Sequence, residues 1–142
     1  MTTIKDSLSE IKDLFIFFDD PMDKFVQIID MGKNCNGLAQ EDKNDFTKIT
    51  GCTSQAWVKC EKKSADIFLI KTDSDAFIVR GLLNILEKIF SGRSSREILS
   101  ISSKDILDNI GLEKSLSSQR TNGFLSAITK IHKEVENLVN AR

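Results

Sequence analysis

The segment from Asp73 to Gly92 constrains the fold more than any other part of the chain. Ala76, Ile78, Val79, Leu82, Leu83, Ile85, Leu86, Ile89 and Phe90 recur at helical spacing, which predicts a strongly apolar helix that must be covered on several sides. Asp73-Ser74 offers an N-cap and Gly92 a stop. This is the expected central helix, packed on a sheet.

The rest of the chain supplies the cover. From Thr3 to Phe18, the spacing of Ile4, Leu8, Ile11, Leu14, Phe15 and Phe18 predicts a first amphipathic helix. Asp19-Asp20-Pro21 restarts the chain, and a second helix is expected from Pro21 to Gly32, burying Phe25, Ile28 and Ile29. Residues 33–45 are polar and rich in turn formers, and their length suggests a functional loop. Short β-prone runs follow at Phe46–Ile49, Ala56–Cys60 and Ile67–Lys71. Ser94-x-x-Glu97 and Ser102-x-x-Asp105 resemble capping boxes before short helices, with Gly111 a stop for the second. A last helix from about Ser118 should bury Phe124, Ile128, Ile131, Val135 and Leu138.

The fold class is therefore α+β, a small antiparallel sheet of about three strands flanked by helices. Residues 1–142 form one expected domain, since no repeat, low-complexity tract or linker divides them. A chain of this length buries a core without a metal or disulfide to hold it.

A net charge of -1 gives no overall attraction to nucleic acid or anionic lipid. The N-terminus is charged where a signal peptide needs apolar residues, and no run approaches the roughly 18 apolar residues of a membrane span. The expected location is the cytoplasm. Three cysteines, at 35, 52 and 60, argue against a disulfide framework and for reduced thiols.

Chemistry concentrates at Cys52, placed after Gly51 in a turn between two expected strands. Gly51 tolerates positive φ and leaves room for an incoming backbone. Ser54 and Gln55 can hold the loop or stabilise a sulfur anion, and Trp57 anchors the next strand. The residues alone leave two readings open: an accessible nucleophilic thiol, or an inert cysteine in a hairpin.

Three blocks bear on that choice: Gly51-Cys52-Thr53-Ser54-Gln55-x-Trp57-Val58, then Asp73-Ser74-Asp75-Ala76-x-Ile78-Val79-Arg80-Gly81, then Arg120-x-Asn122-Gly123. In this order and spacing they resemble the SufE family of sulfur acceptors over nearly the whole chain. The resemblance implies a SufE/IscU-like fold and a sulfur-transfer accessory role rather than a stand-alone enzyme. It makes Cys52 the acceptor of persulfide sulfur from a SufS-type cysteine desulfurase, which carries the pyridoxal phosphate; this chain needs no cofactor and no metal. Asp75 and Arg120 match positions near the desulfurase-binding surface, with Gly51, Ser54 and Gln55 as partner-binding or loop-positioning residues. A SufB-type scaffold is the implied downstream partner, and the chain itself a monomer or weak homodimer. Thr53 stands where the family usually has glutamine, Ala56 where it has a larger aliphatic, Arg80 where lysine is frequent, and Ser118 where proline is common.

Cys60 reads as a buried strand residue, Cys35 as a loop residue, and His132 as a helix-surface side chain. The rivals are a U-type iron–sulfur or zinc scaffold using Cys35, Cys52, Cys60 and His132, and a non-catalytic adaptor that regulates a desulfurase. The compact Cys-x-x-Cys and His-x-His spacings that mark metal sites are absent.

Overall fold

The computed structural model describes residues 3–51, 54–112 and 116–140. Its elements are α1 (Ile4–Ile16), α2 (Pro21–Asn34), a 3-10 turn (Gln40–Asp42), β1 (Ala56–Ser64), β2 (Ile67–Ser74), α3 (Phe77–Phe90), α4 (Ser95–Ser100), α5 (Ser103–Ile110) and α6 (Ser118–Asn140). The α+β class expected from the sequence is the one found.

The expected central helix is α3. Ile85, Leu86, Ile89 and Phe90 on it have no exposed surface, because α2, β2, α1 and α6 all pack against it. Fully burying one such side chain contributes about 1.5–3 kcal/mol. The α2–α3 contact is close enough that backbone meets backbone. A Cβ on Gly32 would lie 2.0 Å from the Phe77 carbonyl oxygen, and one on Gly81 would lie 1.9 Å from that of Ile28. Gly32 is thus no helix stop; α2 continues to Asn34, and the glycine allows the crossing.

Among the described residues the sheet has two strands rather than about three. β1 and β2 form an antiparallel hairpin pairing Ala56 with Ser74, Trp57 with Asp73 and Val58 with Thr72, with an irregularity between Lys62 and Ser64. β1 runs through Lys62 to Ser64, beyond its expected end at Cys60. The expected strand at Phe46–Ile49 fails because Asn44 curls it: the N–H groups of Thr47 and Lys48 donate to the Asn44 carbonyl, and that of Phe46 to its side chain. Only a bridge from Lys48 to Trp57 survives. Val58 N–H still donates to Thr47 O, and Ile49 N–H to Ala56 O, both at 2.8 Å.

Helix ends follow local chemistry. Ser94 and Ser102 accept from the N–H groups of Glu97 and Asp105, and Gly111 closes α5 in the left-handed region at φ 71°. Thr3 and Asp6 form a full capping box on α1. Asp73-Ser74, by contrast, ends β2 and does not cap α3, whose N-cap is Ala76.

His132 is half-buried rather than a surface side chain. Its ring meets Phe90 edge-on at 5.8 Å, and its buried Nε2 has no hydrogen-bond partner. Burial lowers its pKa below the ordinary 6.5, against the opposing effects of a hydrogen bond to the Ile98 backbone and the charge of Glu136.

Two outcomes follow from this packing. Gly81→Ala should cost about 3 kcal/mol by urea denaturation, since the new methyl overlaps a backbone oxygen that cannot move alone. Because the unfolded chain takes up the His132 proton more readily than the folded one, stability should decline as pH falls below 6.5. A denaturation series at stepped pH should show this decline in the native chain and not in His132→Gln.

Candidate functional site

Residues 50–55 connect Ile49 to Ala56, and the Ile49 N–H donates to the Ala56 carbonyl across the base of this connection. Cys52, the expected nucleophile, lies outside the described residues, as does Thr53. Gly51 has φ 89°, a left-handed conformation that favours glycine. A Cβ there would lie 3.0 Å from Ser126 Oγ, so the near stem of the loop passes closely over α6. Ser54 is half-buried within the loop.

The far stem is clamped. Gln55 N–H donates to Asp75 Oδ1 at 3.1 Å, and Asp75 N–H donates back to the Gln55 carbonyl, also at 3.1 Å. Ser74 Oγ donates to the same carbonyl at 2.7 Å and accepts from Ala76 N–H. Asp75 and Gln55 are therefore joined directly across the start of the hairpin.

Beneath this clamp sits Asp73, which the sequence suggested only as a helix cap. It is 5% exposed, and its carboxylate meets two backbone N–H donors and two cations. Oδ2 accepts from Leu38 N–H at 2.9 Å and pairs with Lys43 at 3.1 Å; Oδ1 accepts from Ser74 N–H at 2.8 Å and pairs with Arg80 Nε at 3.0 Å. Burial by itself would raise the Asp73 pKa, yet these hydrogen bonds and the Arg80 charge hold it below the ordinary value. Lys43 also lies over the Trp57 ring at 5.3 Å, and Arg80 over Phe77 at 5.8 Å. The polar loop after α2 is thereby bound to the start of β1, and Lys59 adds a 2.9 Å pair to Asp42.

Arg120 occupies the first turn of α6, where its N–H donates to Ser117 Oγ. Its guanidinium stacks over Phe25 of α2 at 5.3 Å and is half-buried, unlike a freely solvated charge. Beside it an apolar notch opens between Val79, Leu82 and Leu83 of α3 and Gly123 and Phe124 of α6. Gly123 is three residues before Ser126, on the same face of the helix. Val79 is four residues beyond Asp75.

The remaining thiols have different surroundings. Cys60 is partly buried in β1, and burial, with Glu134 adding and Lys130 opposing, pushes its pKa up to about 12. It stays protonated and unreactive at neutral pH. Cys35 Sγ approaches the Gly32 carbonyl at 3.2 Å. Cys35, Cys60 and His132 stand on separate elements, and among the described residues no three His, Cys, Asp or Glu side chains converge as metal ligands. Nor is any helix among them long and apolar enough to cross a membrane.

The helix-flanked hairpin fold is shared with a hypothetical protein of Thermus thermophilus solved in solution. The TM-score is 0.77 over 95% of this chain and 97% of that one, at 13% identity. Residues 9–135 match the SufE family, the Fe-S metabolism associated domain, and the chain belongs to that family. An uncharacterized SufE-like protein of Rhizobium etli is 38% identical over 133 residues, covering 92% of this chain and 90% of that protein. The chloroplastic/mitochondrial SufE-like protein 1 of Arabidopsis thaliana is 35% identical over 131 residues, 92% of this chain but 35% of its own length.

Removing the charge of Asp73 leaves Arg80 and Lys43 facing a neutral group in a buried setting. Asp73→Asn should therefore lose about 3 kcal/mol, and hydrogen exchange should rise first at Leu38, Ser74 and Asp75.

Proposed function

We propose that this chain is a sulfur acceptor whose Cys52 takes persulfide sulfur from a cysteine desulfurase and passes it toward iron–sulfur cluster assembly. The Cys52 thiolate attacks the outer sulfur of the donor's persulfide. A new S–S bond forms on Cys52, the donor's S–S bond breaks, and the donor cysteine leaves as a thiolate that solvent can protonate. No net oxidation occurs, so neither an oxidant nor a cofactor on this chain is required. Pyridoxal phosphate belongs to the SufS-type partner, and a SufB-type scaffold is the acceptor downstream, in the cytoplasm.

The observation that supports this reading best is the tethering of both stems around position 52. Gly51 lies against Ser126, and Gln55 is doubly hydrogen-bonded to Asp75. In this reading the stems on either side of position 52 are fixed, so a partner meets the same flanking surface each time. In this scheme Asp75 and Gln55 position the loop, Ser54 supplies a hydroxyl within it, and Arg120 lines the apolar notch.

The test is incubation with a cysteine desulfurase and cysteine, followed by intact mass under non-reducing conditions. The native chain should gain one sulfur and Cys52→Ser none. Equal desulfurase stimulation by Cys52→Ala would show that binding alone suffices and would remove the acceptor role.

A further inference from the structure

A second feature flanks the loop on its α6 side. The turn curled by Asn44 places Phe46 at its tip with 87% of its surface exposed. The turn is well fastened: Lys130 Nζ donates to the Phe46 carbonyl at 2.8 Å, and Thr47 Oγ1 donates to the Asp42 carbonyl at 2.6 Å. An open cleft runs between this turn and α6, lined by Lys48, Thr50, Asn122, Ser126 and Lys133 among others. Lys130 pairs with Glu134 at 3.3 Å, whereas Lys48 and Lys133 have no ion-pair partner among the described residues. Asp45 is the one acidic residue in the lining.

We propose that this cleft docks the sulfur donor, with Phe46 seated in an apolar pocket and Lys48 and Lys133 facing an acidic segment of the desulfurase. The proposal rests on the sulfur-acceptor reading. Three observations carry it. The lysine excess in the cleft calls for an acidic surface on the partner. The cleft is continuous with the loop, since Thr50 and Ser126 belong to its lining while Gly51 lies against Ser126. A fixed, fully presented aromatic beside a charged rim also has the composition of an interface anchor, where aromatics are enriched and charges set orientation.

Binding and sulfur transfer are to be measured separately. Affinity for a cysteine desulfurase without its substrate is read by titration calorimetry at two salt concentrations, and Cys52 loading by intact mass at saturating desulfurase. Phe46→Ala and the pair Lys48→Glu with Lys133→Glu should each weaken binding about tenfold or more. The charge variant should also lose most of the salt dependence, and both variants should load Cys52 fully at saturation. Their circular dichroism and melting should match the native chain, because these side chains point to solvent. Native affinity in both variants would overturn the docking surface and leave the acceptor role standing. Weakened variants beside a native chain that binds but is never loaded would uphold the surface and overturn the acceptor role. A native chain that does not bind at all would overturn both.

Discussion

The site depends on a single buried carboxylate. An ionised aspartate with 5% exposure is stable only if its lone pairs are filled and its charge is met, and Asp73 is served from four directions. These groups come from three parts of the surroundings: Leu38 and Lys43 from the loop after α2, Ser74 from the end of β2, and the Arg80 charge from α3. Gly37 belongs to the same arrangement, since a Cβ there would stand 2.7 Å from Asp73 Oδ2. With Asp73 fixed, the two residues after it have a defined direction, and they are the ones that hold Gln55.

The same few residues join the site to the core. Arg80 and Gly81 are neighbours on α3 and serve opposite purposes. The first reaches Asp73, while the second lets α3 touch the α2 backbone. The orientation of α3 is thus set by a charge contact on one side and close packing on the other. Thr72 repeats the theme one residue earlier, donating to Glu87 Oε2 at 3.0 Å and pinning β2 to a later turn of the same helix.

What the sequence reveals follows the range of the interactions involved. Apolar periodicity and serine caps act within four residues, so the helices and the starts at Ser94 and Ser102 are legible. The β1–β2 hairpin is legible for the same reason, and so is a glycine suited to positive φ at position 51. Asp73 reads wrongly as a cap because its local context, an aspartate and serine before an apolar run, matches one, while its real partner Leu38 is 35 residues away. The strand expected at Phe46–Ile49 has the right residue types, but Asn44 competes for the same N–H groups. His132 reads as a surface residue although it stands four residues after Ile128, which places it on the flank of the buried stripe.

Loop length decides where recognition must happen. Only three residues separate Gly51 from Gln55, and extended chain advances at most about 3.5 Å per residue. On the sulfur-acceptor reading, a thiol at position 52 would therefore have a reach of about 10 Å from the two flanking stems. On that reading so short a tether would give the thiol no long arm, and a sulfur donor would have to come to the surface around the stems. The side chains that could select the donor are then the ones already fixed there: Asp75 and Arg120 toward α2 and α3, and the Phe46 turn with its lysines toward α6. On that reading the stem held through Asp73 and the stem lying against Ser126 would together form the fixed surface that a donor meets.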